Sequence, residues 1–267
     1  MTQKFSLDLN KSTSAFRLSL DKVGVPAGIQ AELLVVMDVS GSFEHEHEEG
    51  TTSILLERFV PLAKVLDPDG QIDLRTFSNG RNSVQHLGTI DESNARDYIV
   101  DHVVDKVPGW KGGTTYSYAL EEALRVFGWL PCDSGHQPLQ KPRFWQRLLG
   151  VAPQRVPHTP APLHRHEKKR SIVLFVTDGE NDPGDGFGDK QRTRQVLRAS
   201  QQRGDEVYFL FIGACEHEKF AFVDHIAKEF KNTGFVMATD PEAFVNLPDN
   251  ELIDKLLGRE LVDWLKG

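Results

Sequence analysis

Five consecutive apolar residues, Leu33-Leu34-Val35-Val36-Met37, end on a carboxylate, Asp38. The run lacks the apolar–polar alternation of a strand with one wet face, and it is too short for a buried helix, so it predicts a strand covered on both sides. Similar strands are expected at 72–77, 171–177, 207–212 and 235–238. Between them the apolar residues take helical spacing: Leu55, Phe59, Leu62 and Leu66; then Tyr116, Leu120, Ala123, Leu124 and Phe127; then Val223, Ile226, Ala227 and Phe230. A further helix is expected near 92–107, and residues 250–266 read as one final amphipathic helix. Strands alternating with helices predict an α/β fold with a mostly parallel sheet sandwiched between helical layers.

Two parts depart from this alternation. Residues 5–9 and 16–20 alternate apolar with polar around the polar stretch 10–14, which predicts a β-hairpin as an N-terminal extension over residues 1–30. The main domain then runs from 31 to 267, interrupted by an insertion at 131–170. That insertion holds seven of the 14 prolines and four of the ten histidines, with eight Lys and Arg against two Asp and Glu. A patternless connection this long is uncommon inside a compact domain; within it, residues 144–149 could form a short amphipathic turn.

Composition excludes several classes. The net charge of −8 disfavours a general nucleic-acid binder but leaves room for a local basic patch. No apolar run approaches the ~20 residues of a bilayer span, and the N-terminus lacks the apolar core of a secretory signal, so a cytoplasmic protein is expected. Two cysteines, Cys132 and Cys215, build neither a disulfide framework nor a zinc cluster.

In open α/β sheets, ligands gather beyond the carboxyl ends of the strands. Asp38-Val39-Ser40-Gly41-Ser42 follows the first run, Gly112-Gly113-Thr114-Thr115 precedes the second helical face, and Asp178-Gly179 follows the run at 171–177. Two carboxylates and three or four hydroxyls therefore converge from three loops. All are hard oxygen donors, which suit Mg²⁺, Mn²⁺ or Ca²⁺ and not a thiolate- or imidazole-seeking metal. Alternation along an extended loop puts Asp38, Ser40 and Ser42 on one side. With only two carboxylates, a bound ion would stay electron-poor and attract an outside anion.

This arrangement resembles the metal-ion-dependent adhesion site (MIDAS) of von Willebrand factor A (vWA) domains: a D-x-S-x-S loop, a Thr in a second loop and an Asp in a third. The resemblance implies a Rossmann-like doubly wound fold and a metal site of Asp38, Ser40, Ser42, Thr114 and Asp178, with Thr115 in place of Thr114 if the loop alignment slips by one. It further implies that the hydroxyls bind the cation (Mg²⁺ first, then Mn²⁺ or Ca²⁺), that the aspartates often act through water, and that an acidic residue of a protein partner completes the shell. Asp38-Val-Ser-Gly-Ser, residues 56–63 and Asp67-Pro-Asp69-Gly70-Gln-Ile72-Asp73 are similar to the TerF-like branch found in tellurium-resistance and stress-response proteins, so a non-catalytic interaction module in such a bacterial system is expected.

Rival readings remain. A Mg²⁺-dependent phosphoryl-transfer hydrolase of the haloacid-dehalogenase type also places Asp after its first strand, but needs a second Asp where this chain has Ser40. Nucleic acid could bind through 141–170, using Arg143, Trp145, Arg147 and Lys168-Lys169-Arg170. Glu44-His45-Glu46-His47-Glu48-Glu49 reads as a solvated acidic loop in preference to a second metal site. Its carboxylates could repel an acidic partner or take the open metal position themselves. Pro183 stands where an EF-hand loop over 178–189 needs Gly, and Asp189 is not the usual Glu, so the acidic residues here are expected to cap the helix beginning near Asp189.

Overall fold

The computed structural model describes residues 8–131, 167–181, 188–215 and 220–267. One six-stranded sheet carries β1 (Glu32–Asp38), β2 (Ile72–Phe77), β3 (Gln85–Ile90), β4 (Ser171–Thr177), β5 (Val207–Ala214) and β6 (Thr233–Ala238) in the order β3-β2-β1-β4-β5-β6. All neighbours are parallel except β2 and β3. The sheet is therefore the expected mostly parallel α/β sheet, with an antiparallel edge strand that the sequence did not announce. β3, Gln-His-Leu-Gly-Thr-Ile, contains a glycine and few large apolar residues, and only its last residue is buried.

The alternation of β1 builds two cores. Leu33, Val35 and Met37 face the helices α1 (Leu9–Lys22) and α3 (Thr51–Leu66) and the C-terminal helices α9 (Asp249–Leu256) and α10 (Arg259–Lys266). Leu34 and Val36 face α5 (Tyr116–Val126), α6 (Asp189–Arg203) and α7 (Ala221–Glu229). Phe77, Tyr116, Phe175 and Phe211 interlock in this second core, with ring centroids 4.6–6.2 Å apart. Short helices α2 (Glu44–Glu48), α4 (Tyr98–His102) and α8 (Pro241–Val245) fill the connections.

Three expectations are corrected. In place of a hairpin there is α1: Asp8 caps it by accepting from the Lys11 N–H, and Phe16 and Leu20 enter the core while Leu18 is exposed. The segment 16–20 satisfies strand and helix periods alike, and the cap together with a docking face on α3 and α9 favours the helix. Residues 5–7 lie outside the described residues. The helix expected near 92–107 shrinks to α4, because Asp97 and Asp105 adopt left-handed backbone (φ 57° and 56°) on either side of it. The single tail helix divides at Leu257-Gly258 into α9 and α10, Gly258 holding an extended ψ of 157° before the second begins.

Of the insertion, residues 132–166 lie outside the described residues, and with them Cys132, Arg143, Trp145, Arg147 and the expected turn at 144–149. The described basic end is committed to intramolecular contacts. Lys168 lies over the Trp129 ring, Lys169 pairs with Glu32 at 2.7 Å, and Arg170 stacks on Trp264 and donates to its carbonyl. Among the described residues no helix is long and apolar enough to cross a membrane.

Candidate metal centre

The strand order reverses between β1 and β4, so the chain leaves their carboxyl ends in opposite directions and opens a crevice there. Asp38 is the last residue of β1, and Asp178 follows the last residue of β4. Parallel pairing of these strands brings both carboxylates to one edge from positions 140 residues apart.

Four of the five expected residues join one hydrogen-bond network. Asp38 accepts from the Ser40 N–H at 2.9 Å through one oxygen and from the Thr177 hydroxyl at 2.7 Å through the other. Ser40 Oγ donates to Asp178 Oδ1 at 3.3 Å and lies 3.3 Å from Ser42 Oγ, while the Ser42 hydroxyl also reaches Asp178. The second loop is fastened to the first: Ser40 bridges Gly112, the Gly41 N–H donates to the Gly112 carbonyl at 3.0 Å, and the Lys111 N–H donates to the Val39 carbonyl at 2.9 Å. Gly112 is required by close approach, since a Cβ there would stand 2.8 Å from Ser78 Oγ and 3.0 Å from the Gly109 carbonyl.

Thr114 and Thr115 lie just past this seam and both are buried. The Thr115 hydroxyl accepts from the Gly80 N–H at 2.8 Å and donates to the Ser78 carbonyl at 3.1 Å, which ties the loop to the end of β2. No such bond engages Thr114 among the described residues. The structure thus links Asp38, Ser40, Ser42 and Asp178 directly, while Thr114 lies two residues beyond Gly112, where its loop is anchored at Ser40.

The electrostatics are unusual for a protein interior. Asp38 is fully buried and Asp178 is 3 % exposed, yet among the described residues neither has a cationic partner. Burial is the largest cause that pushes Asp38 up to about 7, reinforced by the Asp178 charge and opposed by the Thr177 and Ser40 hydrogen bonds. Asp178 is pushed up to about 6, again mainly by burial, with the Glu46 charge adding to it. Buried carboxylates are ordinarily paired or coordinate a metal. Two carboxylates and three hydroxyls around one crevice fit a hard divalent cation.

Some supporting residues were not foreseen. His47 is fully buried in α2 instead of solvated. Its Nε2 lies 2.8 Å from the Asp38 carbonyl, which can only accept, so Nε2–H donates and Nδ1 accepts from the Thr52 hydroxyl at 2.8 Å. Burial lowers its pKa to about 4, which keeps it neutral, and its ring packs between Phe43 and Trp110. Asp189 stands in the first turn of its own helix, where it accepts from the Thr193 hydroxyl at 3.4 Å, but it also serves another helix. Its carboxylate accepts from the Tyr116 N–H at 2.9 Å, the Ser117 N–H at 3.3 Å and the Ser117 hydroxyl, capping α5 where it leaves the second loop. Among the described residues, no three His, Cys, Asp or Glu side chains form a group that could hold a metal ion, so a cation at this crevice would rest on two carboxylates and the hydroxyls. Residues 182–187 lie outside the described residues.

Residues 30–127 match a family model described as vWA-TerF-like, a vWA found in the TerF C terminus. The matched stretch runs from just before β1 to the end of α5 and includes Asp38, Ser40, Ser42 and Thr114. The match and the doubly wound sheet together support a vWA-type domain. No curated protein matches the chain. Among solved structures, proximal thread matrix protein 1 from the mussel byssus is 15% identical with a TM-score of 0.47, over 85% of this chain and 48% of that one. The manganese-loaded Plasmodium vivax TRAP protein is 17% identical with a TM-score of 0.47, over 84% and 75%. The pilus adhesin SpaC from Lactobacillus rhamnosus GG is 14% identical with a TM-score of 0.44, over 85% and 30%. This chain therefore spans about half of the mussel protein. At these scores the likenesses carry no argument about function.

Proposed function

We propose that the chain is a non-catalytic protein-interaction module whose binding depends on a divalent cation at the β1–β4 crevice. The observation that carries this reading is the pair of buried carboxylates, Asp38 and Asp178, surrounded by hydroxyls and without a cationic side chain among the described residues. Ser40, Ser42 and Thr114 would hold the ion, with Thr114 preferred over Thr115 because the Thr115 hydroxyl is engaged with Ser78 and Gly80. Asp38 and Asp178 would orient the surrounding water and offset part of the charge. Mg²⁺ is the expected ion, with Mn²⁺ and Ca²⁺ compatible with the same oxygen donors. When bound, such an ion supplies positive charge that attracts a carboxylate, and an acidic residue of a protein partner is the expected outside ligand.

The match to the vWA of the TerF C terminus supports a place in bacterial tellurium-resistance or stress-response systems. Two cysteines are too few to sequester a chalcogen, so that role would be scaffolding or signalling. The hydrolase reading loses support because Ser40 points its backbone N–H and hydroxyl at Asp38 and Asp178, and a hydroxyl is no acid–base for phosphoryl transfer.

Affinity capture with the wild-type chain in Mg²⁺, in chelator, and with Asp38→Ala tests the proposal. The same partner set should be held in Mg²⁺ and lost in the other two. Identical sets in all three conditions would sink metal-dependent docking, and turnover of an aryl phosphate that is lost in Asp38→Ala would favour the hydrolase.

A further inference from the structure

The two edges of the sheet are built differently. At β3 the Leu87 carbonyl accepts from the Tyr98 hydroxyl at 2.9 Å, and the Thr89 carbonyl accepts from the Asn94 amide at 3.0 Å. Its pairing with β2 is broken by a register shift at Leu74/Arg75. Covered groups and irregular pairing keep another strand from adding to an edge. β6 has neither. Its sequence, Thr-Gly-Phe-Val-Met-Ala, carries no charge and no proline, and its pairing with β5 runs without a shift. Among the described residues no other segment pairs with its outer side. The Phe209 N–H donates to the Asn232 carbonyl at 2.9 Å, which sets the phase of the ladder. Gly234, Val236 and Ala238 bond to β5, so Phe235 and Met237 turn their N–H and C=O groups outward. Phe235, Val236 and Met237 are only half-buried. Charges bracket the strand: Lys231 before it, and Asp240 and Glu242 after it, are exposed and have no ionic partner among the described residues.

We propose that β6 is a self-association edge: a second copy of this chain adds its own β6 antiparallel, across a two-fold axis at Val236, and joins two six-stranded sheets into one. Phe235 of each copy then lies opposite Met237 of the other, and their outward N–H and C=O groups bond. Charge selects this occupant. Antiparallel pairing sets Lys231 of one copy beside Asp240 and Glu242 of the other at both ends of the seam, whereas parallel pairing would oppose like charges. An uncharged apolar centre with opposite charges at its two ends is its own complement. Antiparallel joining also turns the second sheet end for end. The β1–β4 crevices of the two copies therefore open at opposite ends of the dimer, and one assembly can hold two ligands at once. The seam involves no cation, so it stands or falls separately from the site proposed above.

Sedimentation equilibrium of the full chain over a micromolar concentration series, with and without chelator, reads the association. Each variant is first shown to be folded by circular dichroism. Wild type should pass from monomer to dimer, equally in both conditions. Met237→Lys places a charge on the edge and should weaken the dimer about tenfold or more. Lys231→Glu, at an exposed position, should weaken it by a smaller factor and recover in part when Glu242→Lys is added, so the result does not depend on one variant. Disulfide trapping reads the register, in a chain carrying Cys132→Ser and Cys215→Ser. The two-fold sets position 236 opposite itself in a non-hydrogen-bonded pair, with about 4.5 Å between Cα atoms, which suits a disulfide. Val236→Cys should cross-link on mild oxidation, and Thr239→Cys, exposed but off the axis, should not. Wild type that stays monomeric throughout overturns the proposal. So does a dimer that neither Met237→Lys nor Lys231→Glu weakens, or cross-linking of Thr239→Cys as readily as Val236→Cys. A dimer lost in chelator ties association to the cation and overturns it too.

Discussion

Burying Asp38 and Asp178 side by side gives each a higher pKa in the folded chain, about 7 and about 6, than the 3.8 of an exposed aspartate. Between these values the folded protein binds more protons than the unfolded one. Its stability from these groups is complete below pH 4 and is lost as pH rises through 6 and 7. The cation-free protein should therefore melt at a higher temperature near pH 5 than at pH 7.5 on this account, and Asp38→Asn should flatten that dependence. Millimolar Mg²⁺ should raise the melting temperature at pH 7.5 and do little at pH 5, where protons hold the carboxylates. An unchanged slope in Asp38→Asn would show that other groups set it. His47 acts by geometry: His47→Ala removes a buried ring and leaves the Asp38 carbonyl without its donor, so about 2–4 kcal/mol of stability should be lost in denaturant titration. The D-x-S-x-S residues could be read from sequence because they fall within five consecutive positions, although the chain does not stay extended as expected: Gly41–Phe43 coil into a 3-10 helix that carries Ser42. His47 and Thr177 could not, since their partners are a backbone carbonyl nine residues away and a carboxylate on another strand.

At the level of elements, the second site loop is positioned from both ends. Gly112 locks its start against Ser78 and Gly109, and Asp189 caps the helix α5 at its end. Asp189→Ala should lose about 1–2 kcal/mol from the cap. It should also weaken cation binding, because Thr114 leads straight into that helix, and calorimetry on the variant reads both effects. Gly112→Ala should weaken binding more than stability, since its added methyl displaces the loop that Ser40 bridges. The buried strands were legible because continuous apolar runs have few alternative structures. The N-terminal helix was not, because Phe16-Arg17-Leu18-Ser19-Leu20 fits both periods and the decision lies in a distant docking face. Nor was the helix served by Asp189, because a carboxylate beside one helix start can cap another brought near only by the fold.

In the whole molecule, the sheet order makes the site. Reversal at β1 and β4 leaves one crevice where both strand ends are free of crossing connections, and the acidic and hydroxyl residues fall there from three segments of the chain. The metal centre could be anticipated from three loops in the right order, while its surroundings, the neutral His47 brace above all, needed the packing of α2 onto those loops. The most direct test of the central claim is calorimetric titration of the chelator-stripped chain with Mg²⁺, Mn²⁺ and Ca²⁺, repeated on Asp38→Ala. The account predicts one site per chain in the wild type and none in the variant. Absence of binding in the wild type, or equal binding in both proteins, would contradict it.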